Sequence, residues 1–415
     1  MSSGVRFRKY LHMQSPENKI LACASISTSS GSKVPRTEAR ETTSALAIPK
    51  STLGVGIIGV NPAWGWAATA HIPALRALPN YEIRALSARS AASARAAGEA
   101  FGIKAVFPDH EQLVIQPDID VVAVTVKVPH HRELVTAALE AGKAVYCEWP
   151  LGRDLEEARA MAALAAEKGL RTVVGLQARQ APAIEFVQQL LNDGYVGEVL
   201  STSMIGLSVL GGTLVQPNAY MLDKTNGANL LTVAFGHSLD ILNYVLGEFA
   251  DLSAISDLRR PLITIEGSGE QIVKTAPDQI AVIGTLTSGA TASIHIREAV
   301  AGGTGFLWEI NGTDGTLRIT ADAALPEIYP LTVAGAQGRN EPSELAIPTA
   351  PRQKWPSLTS LEGTPAFNVA RAYAGFAADI DNGTHTVPDF ADAVRRHEVI
   401  AAIDRAAALG EPVKA

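Results

Sequence analysis

His237 and Asp240 stand three residues apart in a stretch whose apolar spacing predicts a helix over roughly 228–246. Positions 233, 237 and 240 share one face of such a helix, so His237 and Asp240 are expected to point towards a common region. A histidine with an unperturbed pKa near ~6.5 can take a proton at neutral pH. The spacing predicts either a general base at His237 or a partly buried histidine bonded to Asp240 or to the backbone.

Lys127 is a second residue that could do chemistry. It follows the apolar run 121–126, which reads as a buried strand, and the carboxyl ends of strands are where open α/β sheets bind ligands. An ammonium there can assist proton transfer, bind a cofactor or substrate oxygen, or point to solvent. His130 and His131 begin the next predicted helix, where we expect His131 to have a capping role.

A glycine-rich turn precedes both candidates. The run Gly54-Val-Gly56-Ile-Ile-Gly59 matches a dinucleotide fingerprint literally but lies inside the first predicted strand. The turn from Gly59 to Gly65 is the better candidate, because a helix starts directly after it and helix N-termini bind pyrophosphate. Asn61 occupies the place of the usual second glycine and tolerates left-handed backbone geometry. The alternative is a plain strand-to-helix turn without a ligand.

The cofactor preference is read after the second predicted strand, at Leu86-Ser87-Ala88-Arg89-Ser90. A carboxylate at this point would bind the ribose 2′-hydroxyl of NAD, and none is present. Ser87, Arg89 and Ser90 could instead hold a 2′-phosphate, since a guanidinium matches phosphate geometry. We therefore favour NADP over NAD, with a solvated Arg89 at a helix start as the alternative.

The elements that must position these residues alternate as β-α-β units over 51–177, which predicts a parallel sheet. Continuous apolar runs predict its strands, and three-and-four spacing predicts its helices. The strands are expected at 53–59, 82–87, 121–126, 144–147 and 172–175, and the helices at 63–77, 91–101, 131–141 and 155–168.

From 178 to 415 the pattern predicts a C-terminal α+β domain with a large open, mostly antiparallel sheet. Ser288-Gly289 and Thr313-Asp314-Gly315 are typical of hairpin turns between strands. Residues 325–365 are rich in proline and polar residues and are expected to form an extended loop. Two further helices are predicted at 366–382 and 390–409.

The composition excludes several classes of protein. The chain has 415 residues, a net charge of −7 and no long basic run, so direct binding to nucleic acid is not expected. No apolar stretch reaches the ~18 residues that span a bilayer. Two distant cysteines, Cys23 and Cys147, fit a reducing cytoplasm. Residues 1–50 are polar and lack periodicity, so we expect a disordered N-terminal tail.

Several separate motifs resemble the glucose-fructose oxidoreductase / inositol dehydrogenase / MocA family, and within it the branch of the fungal galactose-regulon corepressor. The resemblance covers the chain from about residue 53. Its motifs are the strand-to-helix run 121–131, the segments Ala137–Lys143 and Cys147-Glu148-Trp149-Pro150, the run Leu176-Gln177-Ala178-Arg179, and the segment Gly227–Asp240.

The resemblance implies a Rossmann domain, a C-terminal sheet whose open face mediates homodimers, and a sugar-sized pocket between the two. Family members transfer a hydride with the help of the lysine of Glu-Lys-Pro and of an aspartate one helical turn before a histidine. Here Trp149 and Val233 replace that lysine and aspartate, while His237 remains. The expected cofactor contacts are Gly59, Asn61, Trp66, Ser87, Arg89, Lys127, Glu148, Trp149, Gln177 and Arg179. The expected substrate contacts are Trp149, Asn229, Val233 and His237, and no metal ligands are assigned.

Three functions are compatible with this sequence. The first is an NADP- or NAD-dependent oxidoreductase acting on a sugar or polyol, with His237 and Lys127 as catalytic residues. The second is a non-catalytic dinucleotide-binding transcriptional regulator that acts through a protein partner, which the replaced lysine and aspartate favour. The third is a sugar-binding or structural homologue without cofactor affinity.

Overall fold

A six-stranded parallel sheet forms the first part of the fold, in a computed structural model that describes residues 52–208, 213–298, 303–349 and 354–415. The tail expected at 1–50 lies outside these residues. The strand order β3-β2-β1-β4-β5-β6 is that of a doubly wound Rossmann sheet, as predicted. Its strands are β1 (Leu53–Ile58), β2 (Tyr81–Ser87), β3 (Ala105–Phe107), β4 (Val121–Val124), β5 (Ala144–Cys147) and β6 (Thr172–Val174).

Helices cover this sheet, and the first of them differs from the prediction. A π-helical turn (Ala67–His71) continues into α1 (Ile72–Arg76), so the helix begins four residues later than expected. The remaining helices are α2 (Ala91–Phe101), α3 (His110–Val114), α4 (His131–Glu140) and α5 (Leu155–Glu167). The short edge strand β3 was not predicted, because its apolar run has only three residues and these are partly buried or exposed.

A nine-stranded sheet dominates the second part of the fold, in the order β17-β16-β15-β14-β7-β13-β12-β9-β18. Neighbouring strands in this sheet pair antiparallel, except that β7 and β13 pair in parallel, so the predicted mostly antiparallel sheet is confirmed. Its strands are β7 (Val199–Ser208), β9 (Phe249–Asp257), β12 (Gln279–Leu286), β13 (Thr291–Glu298), β14 (Phe306–Gly312), β15 (Gly315–Ala321), β16 (Thr332–Gln337), β17 (Ser343–Glu344) and β18 (Val413–Lys414). A separate three-stranded sheet comprises β8 (Thr213–Leu214), β10 (Leu262–Ile265) and β11 (Gln271–Val273).

The described residues of this part also form α6 (Pro182–Asn192), α7 (Ala234–Leu246), α8 (Ala366–Asn382) and α9 (Phe390–Leu409). The last two have the predicted bounds. The expected loop over 325–365 was wrong in part, because it contains β16, β17 and a 3-10 helix (Pro356–Leu361). Buried residues alternate with exposed or partly exposed ones over the first four residues of β16, and its pairing with β15 offsets the cost of ordering the segment.

Helix α8 shows that the two parts of the chain share a core. Its Val369 and Tyr373 are fully buried in the same apolar cluster as Val55 and Ile57 of β1. A C-terminal helix thus covers one face of the N-terminal sheet. Among the helices that the structure describes, none is both long and apolar enough to cross a membrane.

Candidate functional site

The turn after β1 has the geometry of a phosphate cradle. Gly59 has a φ of 101°, and a Cβ atom there would lie 2.6 Å from Cγ1 of Val126, so only glycine fits. Asn61 Oδ1 accepts a hydrogen bond of 2.9 Å from the amide of Ala63, which closes the turn locally. The first amides of a helix attract anions, and those of the helix that follows this turn start at Ala67, although the amide of Thr69 already donates to the carbonyl of Gly65. These features fit a pyrophosphate.

Trp66 stands at the start of that helix. Its indole is partly buried against the core of the parallel sheet, and its Nε1 is buried without a hydrogen-bond partner among the described residues. A buried donor without an acceptor costs free energy, so a ligand acceptor beside it would be favourable. Trp66 therefore fits the expected contact with a cofactor.

Arg89 and Lys127 bring two positive charges to the carboxyl edge of the parallel sheet. Both side chains are exposed, and the pKa of Lys127 is lowered by partial burial and then by the charge of Arg89. Nζ of Lys127 lies 4.5 Å from the ring centroid of Tyr220, a cation–π contact. Ser87, the last residue of β2, is buried beside them. The arrangement fits a phosphate-bearing ligand better than a neutral one.

Glu148 is fixed by a histidine that the sequence reasoning missed. Nε2 of buried His71 lies 2.7 Å from Oε1 of Glu148, and Nδ1 lies 2.9 Å from the hydroxyl of Tyr373. A side chain at Gly175 would collide with the same carboxylate, 2.7 Å from its Oε2. The only sequence signal for His71 was a polar residue on the otherwise apolar face of the first helix.

Trp149, at the position of the family's lysine, packs inward. Only 6% of the residue is exposed, and its indole N–H donates a hydrogen bond of 2.7 Å to the carbonyl of Thr232. The ring lies 4.8 Å from that of His397 and rests against Gly236. This leaves little indole surface for stacking on a sugar, so Trp149 shapes the site by supporting the start of α7.

The start of α7 is a turn and not the predicted helix. Val233 is the N-cap, and the helix begins at Ala234, six residues later than expected. Buried Asn229 holds the turn together, since its Oδ1 accepts a hydrogen bond of 3.0 Å from the amide of Leu231. Asn229 thus has a structural contact, while Val233 is partly exposed at the mouth of the site.

His237 faces a carboxyl group that was not predicted. Its Nε2 lies 3.8 Å from Oε1 of Glu327, and both side chains are buried. Burial lowers the pKa of His237 to about 3 and raises the pKa of Glu327 to about 8, the latter helped by the nearby charge of Glu148. Glu327 lies in the segment that was expected to be loop, so no periodicity marked it.

His237 and Asp240, which were expected to point towards a common region, have different partners. Asp240 is fully buried and accepts two hydrogen bonds from Arg179, 2.8 Å from Nε and 2.6 Å from Nη2, while Nη1 binds Asp392 at 2.9 Å. The guanidinium predicted to reach the cofactor is therefore committed to a buried ion-pair network that joins three helical segments. Gln177 is buried in the same 3-10 helix as Arg179, and its Oε1 lacks a partner within the described ranges.

His131 has a structural role, but it is not the capping role that was expected, because His130 holds the N-cap position and the ring of His131 contacts backbone carbonyls. Its Nδ1 lies 2.9 Å from the carbonyl of Pro150 and its Nε2 lies 3.0 Å from that of Val126, so it ties the end of β4 to the segment after β5.

The described part of the chain contains no group of three or more side chains that could bind a metal ion. The structure thus brings together Glu148, His237 and Glu327 as the polar centre of the site.

Comparison with known proteins identifies two family models along the chain. The model of the oxidoreductase family with an NAD-binding Rossmann fold matches residues 53–176. The model of the Gal80p C-terminal domain matches residues 182–321. The two matches follow one another and cover the parallel sheet and much of the nine-stranded sheet.

Individual relatives include both enzymes and regulators. The dehydrogenase aclE of Aspergillus oryzae is 32% identical over 80% of this chain and 88% of its own length. The galactose/lactose metabolism regulatory protein GAL80 of Saccharomyces cerevisiae is 30% identical over 67% of this chain and 69% of its own. The structure of a super-repressor mutant of Gal80p from the same yeast has a TM-score of 0.78 at 25% identity and covers 88% of this chain and 98% of that one. Levoglucosan dehydrogenase of Pseudarthrobacter phenanthrenivorans is 27% identical over 64% of this chain and 73% of its own length.

Proposed function

Because the chain belongs to the oxidoreductase family with an NAD-binding Rossmann fold, in the branch that also holds Gal80p, we propose that it is a dehydrogenase of a sugar or polyol that uses NADP or NAD. The observation that supports this most directly is the buried pair of His237 and Glu327, in which each side chain keeps a polar atom without a partner among the described residues. Such atoms are costly to bury unless a ligand completes their bonding.

The cofactor binds at the carboxyl edge of the parallel sheet. The amides after Gly59 bind the pyrophosphate, and Trp66 lines the start of the helix. Arg89 and Lys127 favour the 2′-phosphate of NADP, because two cations face the same space above β2 and β4. When bound, the dinucleotide accepts a hydride from a substrate carbon.

His237 takes the proton that the substrate hydroxyl must lose. A positioned base of this kind contributes ~10²- to 10⁴-fold to the rate. We assign Lys127 to the cofactor and not to proton transfer, because its ammonium lies over Tyr220 and beside Arg89. Val233 and Asn229 shape the substrate side of the site from the turn before α7.

The named activities of the relatives agree with this class of substrate. One is a dehydrogenase, another a levoglucosan dehydrogenase and a third a D-apiose dehydrogenase, which is 29% identical over 67% of its length. We extend the proposal to a homodimer through the open face of the nine-stranded sheet. That face exposes Ile255 at 64% and Ile283 at 57%, apolar surface that a second copy of the chain would cover.

The second candidate function is a dinucleotide-binding regulator without turnover. Trp149 favours it, since the residue in the lysine position is packed against Gly236 and His397 and offers no proton. The GAL80 relatives are named as regulatory proteins of galactose and lactose metabolism. In that case the bound dinucleotide alters affinity for a protein partner.

One assay separates the two. Purified protein is given NADP or NAD with a panel of aldoses and polyols while the reduced-nicotinamide absorbance is followed. A dehydrogenase shows turnover that His237→Ala abolishes and that the exposed-histidine control His385→Ala keeps. Tight dinucleotide binding without turnover on any substrate would reject the enzyme in favour of the regulator.

A further inference from the structure

Among the described residues, Glu327 supplies the carboxyl group that lies within ion-pair distance of His237. It lies between β15 and β16, and its backbone carbonyl accepts a hydrogen bond of 3.2 Å from Asn368 of α8. The residue is 4% exposed, and Oε1 lies 3.8 Å from Nε2 of His237, which is 5% exposed. Two titratable side chains from different elements are thus buried next to each other.

The bonding of this pair is incomplete. Oε2 of Glu327 and Nδ1 of His237 are both buried and lack hydrogen-bond partners in the ranges that the structure describes. Buried polar atoms are normally paired, and those that are not mark a site that a ligand or a moving proton completes. The 3.8 Å separation exceeds a normal hydrogen bond, so a small approach of either side chain closes it.

We infer that Glu327 is the proton partner of His237, so that the two side chains hold one proton between them at neutral pH and act as a unit in proton transfer. This inference rests on the proposed dehydrogenase function for its direction and supplies what His237 lacks alone. A neutral imidazole in an apolar site is a poor proton acceptor, because the cation it would form is not solvated. A carboxylate beside it stabilises that cation.

The proton balance is simple. When the pair has lost its shared proton it carries a charge of −1. The substrate O–H bond then breaks, the proton moves to the pair, and the charge of the pair returns to zero. The two electrons leave with the hydride that the proposed cofactor takes. Glu327 is a positioning residue in this step, since it acts through His237.

The charges around the pair set the pH at which it loses its proton. The titratable groups that face Glu327 are His237 from α7 and Glu148 from the end of β5, and His71 and Tyr373 hold Glu148 in turn. Burial, with the charge of Glu148, raises the pKa of Glu327 to about 8, while burial lowers that of His237 to about 3. The pair is therefore neutral at pH 7 and becomes anionic above about pH 8.

The test follows His237 directly, without cofactor or substrate. Protein labelled with ¹³C-histidine is titrated by NMR, and the signal of His237 is identified by its loss in His237→Gln. We expect that signal to shift with a midpoint near pH 8 as Glu327 ionises. The step disappears in Glu327→Gln and is kept in the exposed control Glu344→Gln. Glu327→Asp, which retains the carboxyl group, keeps a step at a moved midpoint.

A missing step in the wild-type protein, or an unchanged step in Glu327→Gln, overturns the inference. Turnover is measured separately, and oxidation in the wild type should rise through about pH 8 and fall about 100-fold in Glu327→Gln. A step that is present in the wild type and lost in Glu327→Gln, together with no turnover in any variant, rejects the dehydrogenase and leaves the proton pair standing. Turnover with a rising limb that survives Glu327→Gln rejects the pair and leaves the dehydrogenase.

Discussion

The indole of Trp149 lies directly against Gly236, the third residue of α7. A Cβ atom at position 236 would lie 2.8 Å from Nε1 of the indole, the same nitrogen that donates to the carbonyl of Thr232. Trp149 follows β5 of the parallel sheet, while α7 carries His237. The contact therefore fixes the candidate proton-transfer residue relative to the strand ends that bind the cofactor.

Gly236→Ala tests this contact. The added methyl group forces the indole or α7 to move, and overpacking of this kind costs about 1–3 kcal/mol of unfolding free energy. Urea unfolding measures it. Gly303→Ala is the control, since the nearest atom to its added methyl group would be 3.7 Å away. Equal stability of Gly236→Ala and the wild type would show that the two residues are not in tight contact.

Arg179→Met tests the reassignment of Arg179 from the cofactor to the core. Removal of the guanidinium takes both short hydrogen bonds from buried Asp240 and leaves it the longer contact of 3.7 Å with Nε of Arg396, so we expect a cost of up to about 3–5 kcal/mol. Arg159→Met, which breaks the exposed pair with Glu398, should cost less than about 1 kcal/mol. The measurements are chemical unfolding and cofactor binding by calorimetry. Weakened cofactor binding at unchanged stability would restore the original interpretation of Arg179.

Arg89→Ala tests the cofactor preference. Loss of the guanidinium should weaken the binding of NADP by about tenfold or more and leave the binding of NAD nearly unchanged, because only NADP carries a phosphate at the 2′ position. Fluorescence titration with each dinucleotide gives the two dissociation constants. Arg95→Ala, an exposed arginine on α2, serves as the matched control. Equal losses for NADP and NAD would assign Arg89 to a role common to both.

Glu327→Gln should change how stability depends on pH. The pKa of Glu327 is raised from 4.5 to about 8, so between these values the folded protein binds more protons than the unfolded chain. The free energy of unfolding then falls as pH rises, by up to ~1.4 kcal/mol per pH unit. The pKa of His237 is lowered from 6.5 to about 3, so its contribution makes the free energy of unfolding rise with pH, and does so only below about pH 6.5.

Unfolding between pH 6.5 and 8 therefore isolates the contribution of Glu327. Glu327→Gln should lose the downward slope over this range, so that the variant gains stability relative to the wild type as pH rises. Glu344→Gln, an exposed glutamate on β17, should keep the slope. Parallel curves for the wild type and Glu327→Gln would mean that Glu327 is already ionised in the folded protein.

The sequence predicted those parts of the fold whose residues obey one period. The strand β1 and the helices α8 and α9 matched their predicted positions, and β4 ends two residues earlier than predicted. Burial on both faces of the two strands leaves a continuous apolar run that the sequence shows directly. The turn before α7 was predicted as helix, since nothing in its composition shows that Asn229 bonds the amide of Leu231 instead.

The site was predictable only where a single segment defines it. The Gly59 turn, Arg89 and Lys127 each follow a predicted strand of the parallel sheet. Their positions along the sequence therefore sufficed to predict that they lie at one edge of that sheet. Glu327 and His71 reach the site from distant segments, and their roles depend on contacts with His237 and Glu148 that no spacing records. Long-range pairing, not local pattern, therefore decides the polar centre.

Hydride transfer itself is the most direct test of the proposed dehydrogenase. Stoichiometric protein is incubated with NADP or NAD and a mixture of aldoses and polyols that carry deuterium on carbon, and the reduced cofactor is analysed by mass spectrometry. We expect one deuterium on the nicotinamide with the wild-type protein, and at least about 100-fold less with His237→Asn. Tight binding of the dinucleotide with no deuterium transferred from any sugar or polyol would contradict the account and favour the regulator.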